Sequence, residues 1–447
     1  MHNEKPLSKQ KSGDQRKTIK EAPSPMTEPL VFAHLADLHI GAWREQKFNT
    51  LTIDAFNKAI DFCLARHVAF ILFSGDLFNT ALPNIDHLKQ VIIKLKECKA
   101  QNVPVYCIPG SHDFSPSGKT MLDILDEAEL LTNVVKGSVQ DGKLKLSFTI
   151  DKKTGVKITG MIGKRGALEK HYYEDLDRAA LEEEPGKKIF MFHSAITELK
   201  PAELAQMDSA PISFLPKGFD YYAGGHVHIV KDTTLPGYRN VVYPGPLFPA
   251  TFRELETLKQ GSFCIVEDWK LHRIPHKIKN VTALTIDAEG KDPAGVEQDI
   301  RERLSTIDPT DAIILLRIEG TLHSGSPADI PFSNIIHELI QKGAYHVAKN
   351  TVKLTSKAFE AITVTSKSAG EVEEQVLTEH KGSFGNLSTV GLTKEDEISL
   401  AKSLLHALSE DQHEGEKKYE YEDRVKTTAQ ELIKQTLRKP QQSRKPS

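Results

Sequence analysis

The chain has 447 residues, of which 39% are hydrophobic and 27% charged, with a formal net charge of -3. That length exceeds what one core holds and implies two or three domains, while the composition excludes a disordered or fibrous chain. A net charge this close to zero excludes a global pull on polyanions, so nucleic-acid binding would have to rest on local basic residues or bound metal.

Residues 1–28 are rich in Lys, Ser, Pro and Gln and predict a disordered tail. The apolar run Leu30 to Ala36 predicts a buried strand, followed by a helix over about Leu51 to His67 and a second strand over Val68 to Ser74. Ile85, Leu88, Ile92 and Leu95 recur on one helical face, and Val103 to Ile108 predicts a third strand. The segment Ser138 to Lys188 is less regular, with hairpin strands expected near Leu144 to Ile150 and Val156 to Ile162. Strand patterns return at Lys188 to Phe192, Phe219 to Ala223, Arg239 to Tyr243 and Ser262 to Glu267, so one α/β domain is expected over 29–278.

A smaller unit with β-α-β-α-β order is expected over 279–362, its strands at Val281 to Ile286, Ala312 to Glu319 and Tyr345 to Leu354 and its second helix at Asn334 to Lys342. The polar, Ser/Gly-rich stretch 363–392 is a linker by composition. Two amphipathic helices close the chain within 393–440, the first opened by a capping box of Thr393 and Asp396. Cys63, Cys98, Cys107 and Cys264 lack paired spacing and sit in apolar stretches, which predicts buried free thiols in a reducing cytoplasm. No apolar run is long enough to span a membrane, and no secretory signal is expected.

Five short motifs fall where predicted strands end: Asp37-Leu-His39, Gly75-Asp76, Gly110-Ser111-His112-Asp113, His193, and Gly224-Gly-His226-Val-His228. Strand carboxyl ends are where open α/β sheets bind ligands. On an extended segment, Asp37 and His39 would point the same way and share one ion, and His226 and His228 would repeat that geometry. A carboxylate such as that of Asp76 can bridge two cations. Mixed carboxylate and imidazole ligands suit Mn, Fe or Zn more than Mg or Ca, and two ions about 3.5–4 Å apart would clamp a phosphoryl displacement. Any single one of the 18 histidines is ordinarily just a polar turn residue, but five such motifs in this order are not a chance of composition.

The runs FAHLADLHIGAW, FSGDLFNT, PGSHDF, FHSAI, AGGHVH and YPGPLFPATFRE resemble the calcineurin-like metallophosphoesterases, and within them the SbcD-like, meiotic-recombination nuclease subunit of the double-strand-break repair complex. The resemblance implies a metallophosphoesterase β-sandwich flanked by helices over 29–278, a capping, DNA-binding domain over 279–362 and an ATPase-binding helical pair over 393–440. By the same resemblance, Asp37, His39, Asp76 and His228 would hold one Mn2+, and Asp76, His193 and His226 a second, with Fe or Zn as possible substitutes. Ser111 stands where the family usually places an Asn ligand, and Asn79 where it often carries a His. His112 would be the acid that protonates the leaving 3′ oxygen.

The activity implied is a manganese-dependent endonuclease and 3′-5′ exonuclease. Its implied partners are DNA, a second copy of itself and a coiled-coil SMC-like ATPase, in a two-plus-two heterotetramer beside the nucleoid. The competing readings are a small-substrate or nucleotide phosphodiesterase of the same superfamily, and a scaffold subunit with a weakened site. Gly118-Lys119-Thr120 imitates a P-loop, but the first glycine of that loop would fall on Asp113, so any ATP belongs to a partner. Arg44, Lys119, Lys164 and Arg165 are the candidate contacts to DNA phosphates.

Overall fold

The computed structural model describes residues 29–114, 120–163, 170–357, 393–413, 416 and 418–438. The expected tail 1–28 and linker 363–392 lie outside them. The chain forms two compact units: residues up to Asp287 with Val296–Glu319 and Pro331–Lys353, and a second made of Ala288–Gly295, Gly320–Ile330 and the described residues from Leu354 on.

The first unit opens with β1 (Val31–Leu35), α1 (Gln46–Ala65), β2 (Phe70–Ser74), α2 (Ile85–Ala100), β3 (Val105–Ile108), α3 (Met121–Glu127) and β4 (Thr132–Asn133). Short elements follow: β5 (Gly137–Gln140), β6 (Lys143–Leu146), β7 (Thr149–Ile150), β8 (Lys157–Gly160), α4 (Lys170–Glu174) and α5 (Arg178–Glu183). Then come β9 (Lys188–His193), β10 (Tyr221–Gly225), β11 (Val230–Leu235), β12 (Tyr238–Pro244), α6 (Phe252–Leu258), β13 (Gly261–Glu267) and β14 (Lys270–His276). All of these strands but β5 and β6, which pair separately, make two six-stranded sheets, β14-β13-β1-β2-β3-β4 and β11-β12-β10-β9-β8-β7. The inner strands of each run parallel, and antiparallel partners close the ends at β13 and β14, β11, and β7.

Period-two alternation decides which face each residue buries. Phe32 of β1 points between the sheets, stacked on Phe70 at 5.0 Å and edge-on to Tyr221 of the opposite sheet at 5.3 Å. Its neighbours Ala33 and Leu35 point the other way, into a core shared with Phe48, Phe56 and Ile60 of α1 and with Val91 and Leu95 of α2. The expected hairpin of Leu144 to Ile150 with Val156 to Ile162 divides: β6 pairs with β5, while only Thr149 and Ile150 pair with β8. Ser147 marks the break, its N–H donating to the Lys136 carbonyl at 2.7 Å and its carbonyl accepting from Thr159.

A three-stranded sheet, β15-β16-β17, is built from β15 (Asn280–Asp287), α7 (Pro293–Ser305), β16 (Ala312–Leu322), α8 (Phe332–Gln341) and β17 (His346–Ser356). Ile313 and Leu315 of β16 enter the same apolar cluster as α1, and the Phe48 ring meets His346 edge-on at 4.6 Å. In the second unit, α9 (Lys394–Ser409) and α10 (Lys418–Arg438) form a helical pair. Thr393 and Asp396 form the expected capping box. Arg424 binds Glu410 and Glu416, each at 2.8 Å. Among the described residues, no helix is long and apolar enough to cross a membrane, and all four cysteines are free and buried.

Candidate metal centre

The strands β1, β2, β3, β9 and β10 end together, and the motif residues leave from those ends. Main-chain hydrogen bonds lace the loops: Asp37 N–H donates to Gly75 at 3.2 Å and His39 N–H to the Asp76 carbonyl at 2.9 Å. Among the described residues three groups result, each with ligand atoms within 4.8 Å of one another: Asp37, His39 and His228; His39, Asp76 and His112; and the fully buried Asp37, Asp76 and His193. His39 Nε2 and His228 Nε2 face each other at 2.9 Å. Asp76 Oδ2 lies between two rings, 3.5 Å from His39 Nε2 and 3.1 Å from His193 Nε2.

The i, i+2 spacing does not act through an extended backbone. Asp37 (φ 51°), His39 (φ 42°), Asp76 (φ 54°), His226 (φ 98°) and His228 (φ 54°) all have positive φ. Asp and His are among the residues that tolerate this region, and strained backbone of this kind gathers at ligand sites. As a result the two histidines of Gly224-Gly-His226-Val-His228 diverge. His228 joins Asp37 and His39, whereas His226 sits edge-on to His193, ring centres 5.1 Å apart. The His226 N–H donates to Asp37 Oδ1 at 2.8 Å.

Close backbone approach explains the glycines. A Cβ on Gly110 would fall 2.3 Å from Asp76 N and Oδ1, and one on Gly75 would fall 2.2 Å from His193 Nδ1. Asp113 holds the Gly110 loop in place, accepting from Gly110 N–H at 2.9 Å and Phe78 N–H at 3.3 Å. Ser111 is buried beside this loop. His112 is half-buried, its N–H donating to Asp76 Oδ1 at 2.7 Å and its Nδ1 2.8 Å from the Asn79 carbonyl. A carbonyl partner assigns the Nδ1 proton, which leaves Nε2 as the functional atom. Position 79 therefore acts on His112 through its main chain, which Asn provides as well as His.

The electrostatics follow from burial and pairing. Burial opposes charge on His193, yet Asp76 and Asp37 hold its imidazolium up to about 10. Burial also opposes charge on His228, and Asp37 and Glu254 hold it up to about 9. His39 and His226 are driven down to about 3 by burial, aided by neighbouring imidazoles. Burial raises Asp113 to about 7, with the Asp76 charge adding to it. The Asp37 carboxyl is raised by burial, while Asp76 is held below the carboxylate range because His193 and His39 outweigh its burial.

Whether a cation fits is answered by the nitrogens. His39 Nδ1 is buried without a hydrogen-bond partner, His193 Nε2 meets the Asp76 carboxylate at 3.1 Å, and two Nε2 atoms at 2.9 Å need either a shared proton or a cation between them. Buried polar atoms left in this state are uncommon and mark ligand positions. The mixed carboxylate and imidazole set suits a transition-metal dication.

Glu254, Asp113 and the Asn79 carbonyl are site features that sequence reasoning did not assign. For Glu254 a signal existed, the T-x-x-E pattern Thr251-Phe-Arg-Glu254, since Thr251 caps α6 by accepting from Glu254 N–H. Of the candidate DNA contacts, Arg44 is exposed, and Lys119, Lys164 and Arg165 lie outside the described residues.

The model of the calcineurin-like phosphoesterase family matches residues 30–230, the segment that carries all five motifs. A protein of Archaeoglobus fulgidus named DNA double-strand break repair protein Mre11 is 24% identical over 346 residues, 69% of this chain and 75% of that protein. The protein of that name from Sulfurisphaera tokodaii is 31% identical over 50% of this chain and 54% of its own length. The one from Sulfolobus acidocaldarius is 30% identical over 46% and 51%. Residues 30–230 thus match the calcineurin-like phosphoesterases, and the chain is similar to these Mre11 proteins. It spans about half the length of the Sulfurisphaera and Sulfolobus proteins. Glu254 lies beyond the segment matched by the phosphoesterase model.

Proposed function

We propose that the chain is a manganese-dependent nuclease that hydrolyses DNA phosphodiester bonds at double-strand breaks, as endonuclease and 3′-5′ exonuclease. The observation that carries this reading is the convergence of Asp37, His39, Asp76, His193 and His228, with the Nε2 atoms of His39 and His228 set 2.9 Å apart. It is supported by the Mre11 relatives, whose name refers to double-strand break repair. One ion would be held by Asp37, His39, Asp76 and His228, and a second by Asp76, His193 and His226 with Ser111 nearby. Bound ions would polarise the phosphoryl oxygens and offset the charge that develops on them.

The remaining work belongs to the chain's own groups. His112, fixed through Nδ1 to the Asn79 carbonyl, presents Nε2 to protonate the leaving 3′ oxygen. Asp113 keeps the loop that carries it closed. The expected boundaries give a nuclease domain over 29–278, a capping domain over 279–362 that contacts DNA and helices over 393–440 that grip a coiled-coil ATPase. Arg44, Lys119, Lys164 and Arg165 would touch phosphates. Exposed Leu405, Leu408 and Leu437 on α9 and α10 support a partner there, and Leu82 and Ile85 at the start of α2 support pairing of two copies. The assembly is two nuclease and two ATPase chains, acting on DNA in the cytoplasm.

The test is cleavage of labelled single- and double-stranded DNA with manganese, run beside a chromogenic phosphodiester. Cleavage of DNA far faster than of the small ester is expected, and the reverse preference would replace this reading with a small-substrate phosphodiesterase.

A further inference from the structure

Helix α6 carries two acidic residues that face different neighbours. Glu254 accepts from His228 Nδ1 at 3.2 Å, and its own carboxylate is steadied by Ala250 N–H at 2.9 Å and Thr251 Oγ1 at 3.0 Å. With Nδ1 engaged, His228 presents Nε2 toward Asp37 and His39. Glu256, two residues on, accepts a two-pronged contact from Arg317 of β16, through Nε at 2.7 Å and Nη2 at 2.6 Å. The same guanidinium lies over the Phe252 ring at 5.3 Å, on the first turn of α6. This fork is mostly shielded, the two side chains 18% and 19% exposed, so it is better formed than an ordinary surface pair. The loop before α6 is itself tied to the site, with Leu247 N–H donating to the Asp37 carbonyl at 3.4 Å and the Trp43 indole to Pro249 at 3.0 Å.

We propose that α6 is a coupling element: Glu254 sets the ring of His228, and Arg317 of the small sheet, by gripping Glu256 and Phe252, makes the metal affinity of the site depend on how that sheet is docked. A histidine ligand needs its second nitrogen held so that the first is aimed and basic, and loss of such a partner commonly lowers metal affinity about 10–100-fold. Arg317 touches no metal ligand and acts only through the position of α6. Glu254 and Arg317 are therefore positioning residues in series. A macromolecule that pulls on the small sheet would load or unload the site through this helix, which rests on the metal reading proposed above.

The experiment measures manganese binding to the full chain by calorimetry and by elemental analysis after dialysis, with no activity readout required. Glu254→Gln should weaken one of two sites about 10–100-fold, while Glu254→Asp recovers part of the loss. Arg317→Met should weaken the same site by a smaller factor, and Glu256→Gln, which breaks the fork from the other side, should match it. The deciding variant is the double Glu254→Gln/Arg317→Met. Residues in series predict that it binds no more weakly than Glu254→Gln alone, whereas losses that multiply would show independent effects and overturn the coupling. Normal affinity in both Arg317→Met and Glu256→Gln would also overturn it. A parent chain that takes up no manganese would instead remove the metal reading itself, and the coupling with it.

Discussion

His39 and His228, on loops from different sheets, meet nitrogen to nitrogen with 2.9 Å between their Nε2 atoms. Contact this close needs a shared proton or a cation between the two nitrogens. The proposed metal reading supplies the cation, so the parent chain is expected to bind two manganese ions by elemental analysis after saturation. Asp76→Ala should lose both, because its Oδ2 stands between His39 and His193. Retention of one tight ion in that variant would assign the bridging role elsewhere.

His112→Gln should reduce DNA cleavage by about 10²–10⁴-fold, the usual contribution of a general acid. Metal content and DNA affinity should stay near those of the parent, since the tie from His112 to Asp76 is made by its main-chain N–H, which the variant keeps. Single-turnover rates beside a DNA-binding isotherm check this, and an unchanged rate would remove His112 from the chemistry.

Ser111→Asn is expected to lower the manganese concentration needed for half-maximal cleavage. A serine oxygen reaches less far than an amide carbonyl, and Ser111 is buried in the loop between Gly110 and His112, which flank the Asp76 carboxylate. A metal titration of the two proteins decides it, and superimposable curves would show that the shorter residue already suffices.

His34 gives a pH dependence outside the ligand set. It is buried in β1, with Nδ1 3.0 Å from the Tyr221 hydroxyl of the facing sheet. Burial pushes its imidazolium down to about 3 from 6.5. The folded value is depressed, so the stability His34 contributes is present above 6.5 and is lost as pH falls from there toward 3, by at most about 1.4 kcal/mol per pH unit. Between pH 7 and 5 the Tm of His34→Gln should therefore fall less than that of the parent, by a margin on the order of a few °C. Equal slopes would mean that another group governs acid unfolding.

Deleting α9 and α10 should leave manganese-dependent cleavage of single-stranded DNA intact and abolish co-purification with a coiled-coil ATPase. Leu405 and Leu408 are 45% and 59% exposed, as expected of a face kept for another chain. Full binding by the shortened chain would place the contact elsewhere.

The buried strands were legible because each is an apolar run stopped by a polar motif, as in Phe70–Ser74 before Gly75-Asp76. The edges were not. β11 reads VKDTTL and β14 reads KLHRIPH, and such half-exposed strands carry no apolar run. The sequence brings Asp37, His39, Asp76, His193 and His228 to strand ends, where the structure gathers them, but not through an extended backbone, because the left-handed conformation of Asp37 and His39 leaves no mark on hydropathy. Glu254 went unassigned because its T-x-x-E signature describes a helix start and says nothing of the histidine that the carboxylate faces.

The positive φ angles at Asp37, His39, Asp76, His226 and His228 set the fold against its own site. Each such residue costs about 1 kcal/mol or more relative to a relaxed backbone, and glycine would relieve most of it while removing a side chain of the candidate site. Relaxing these five positions would exchange the side chains of the candidate site for an easier backbone, so stabilising the protein by design is best directed at any loop but these.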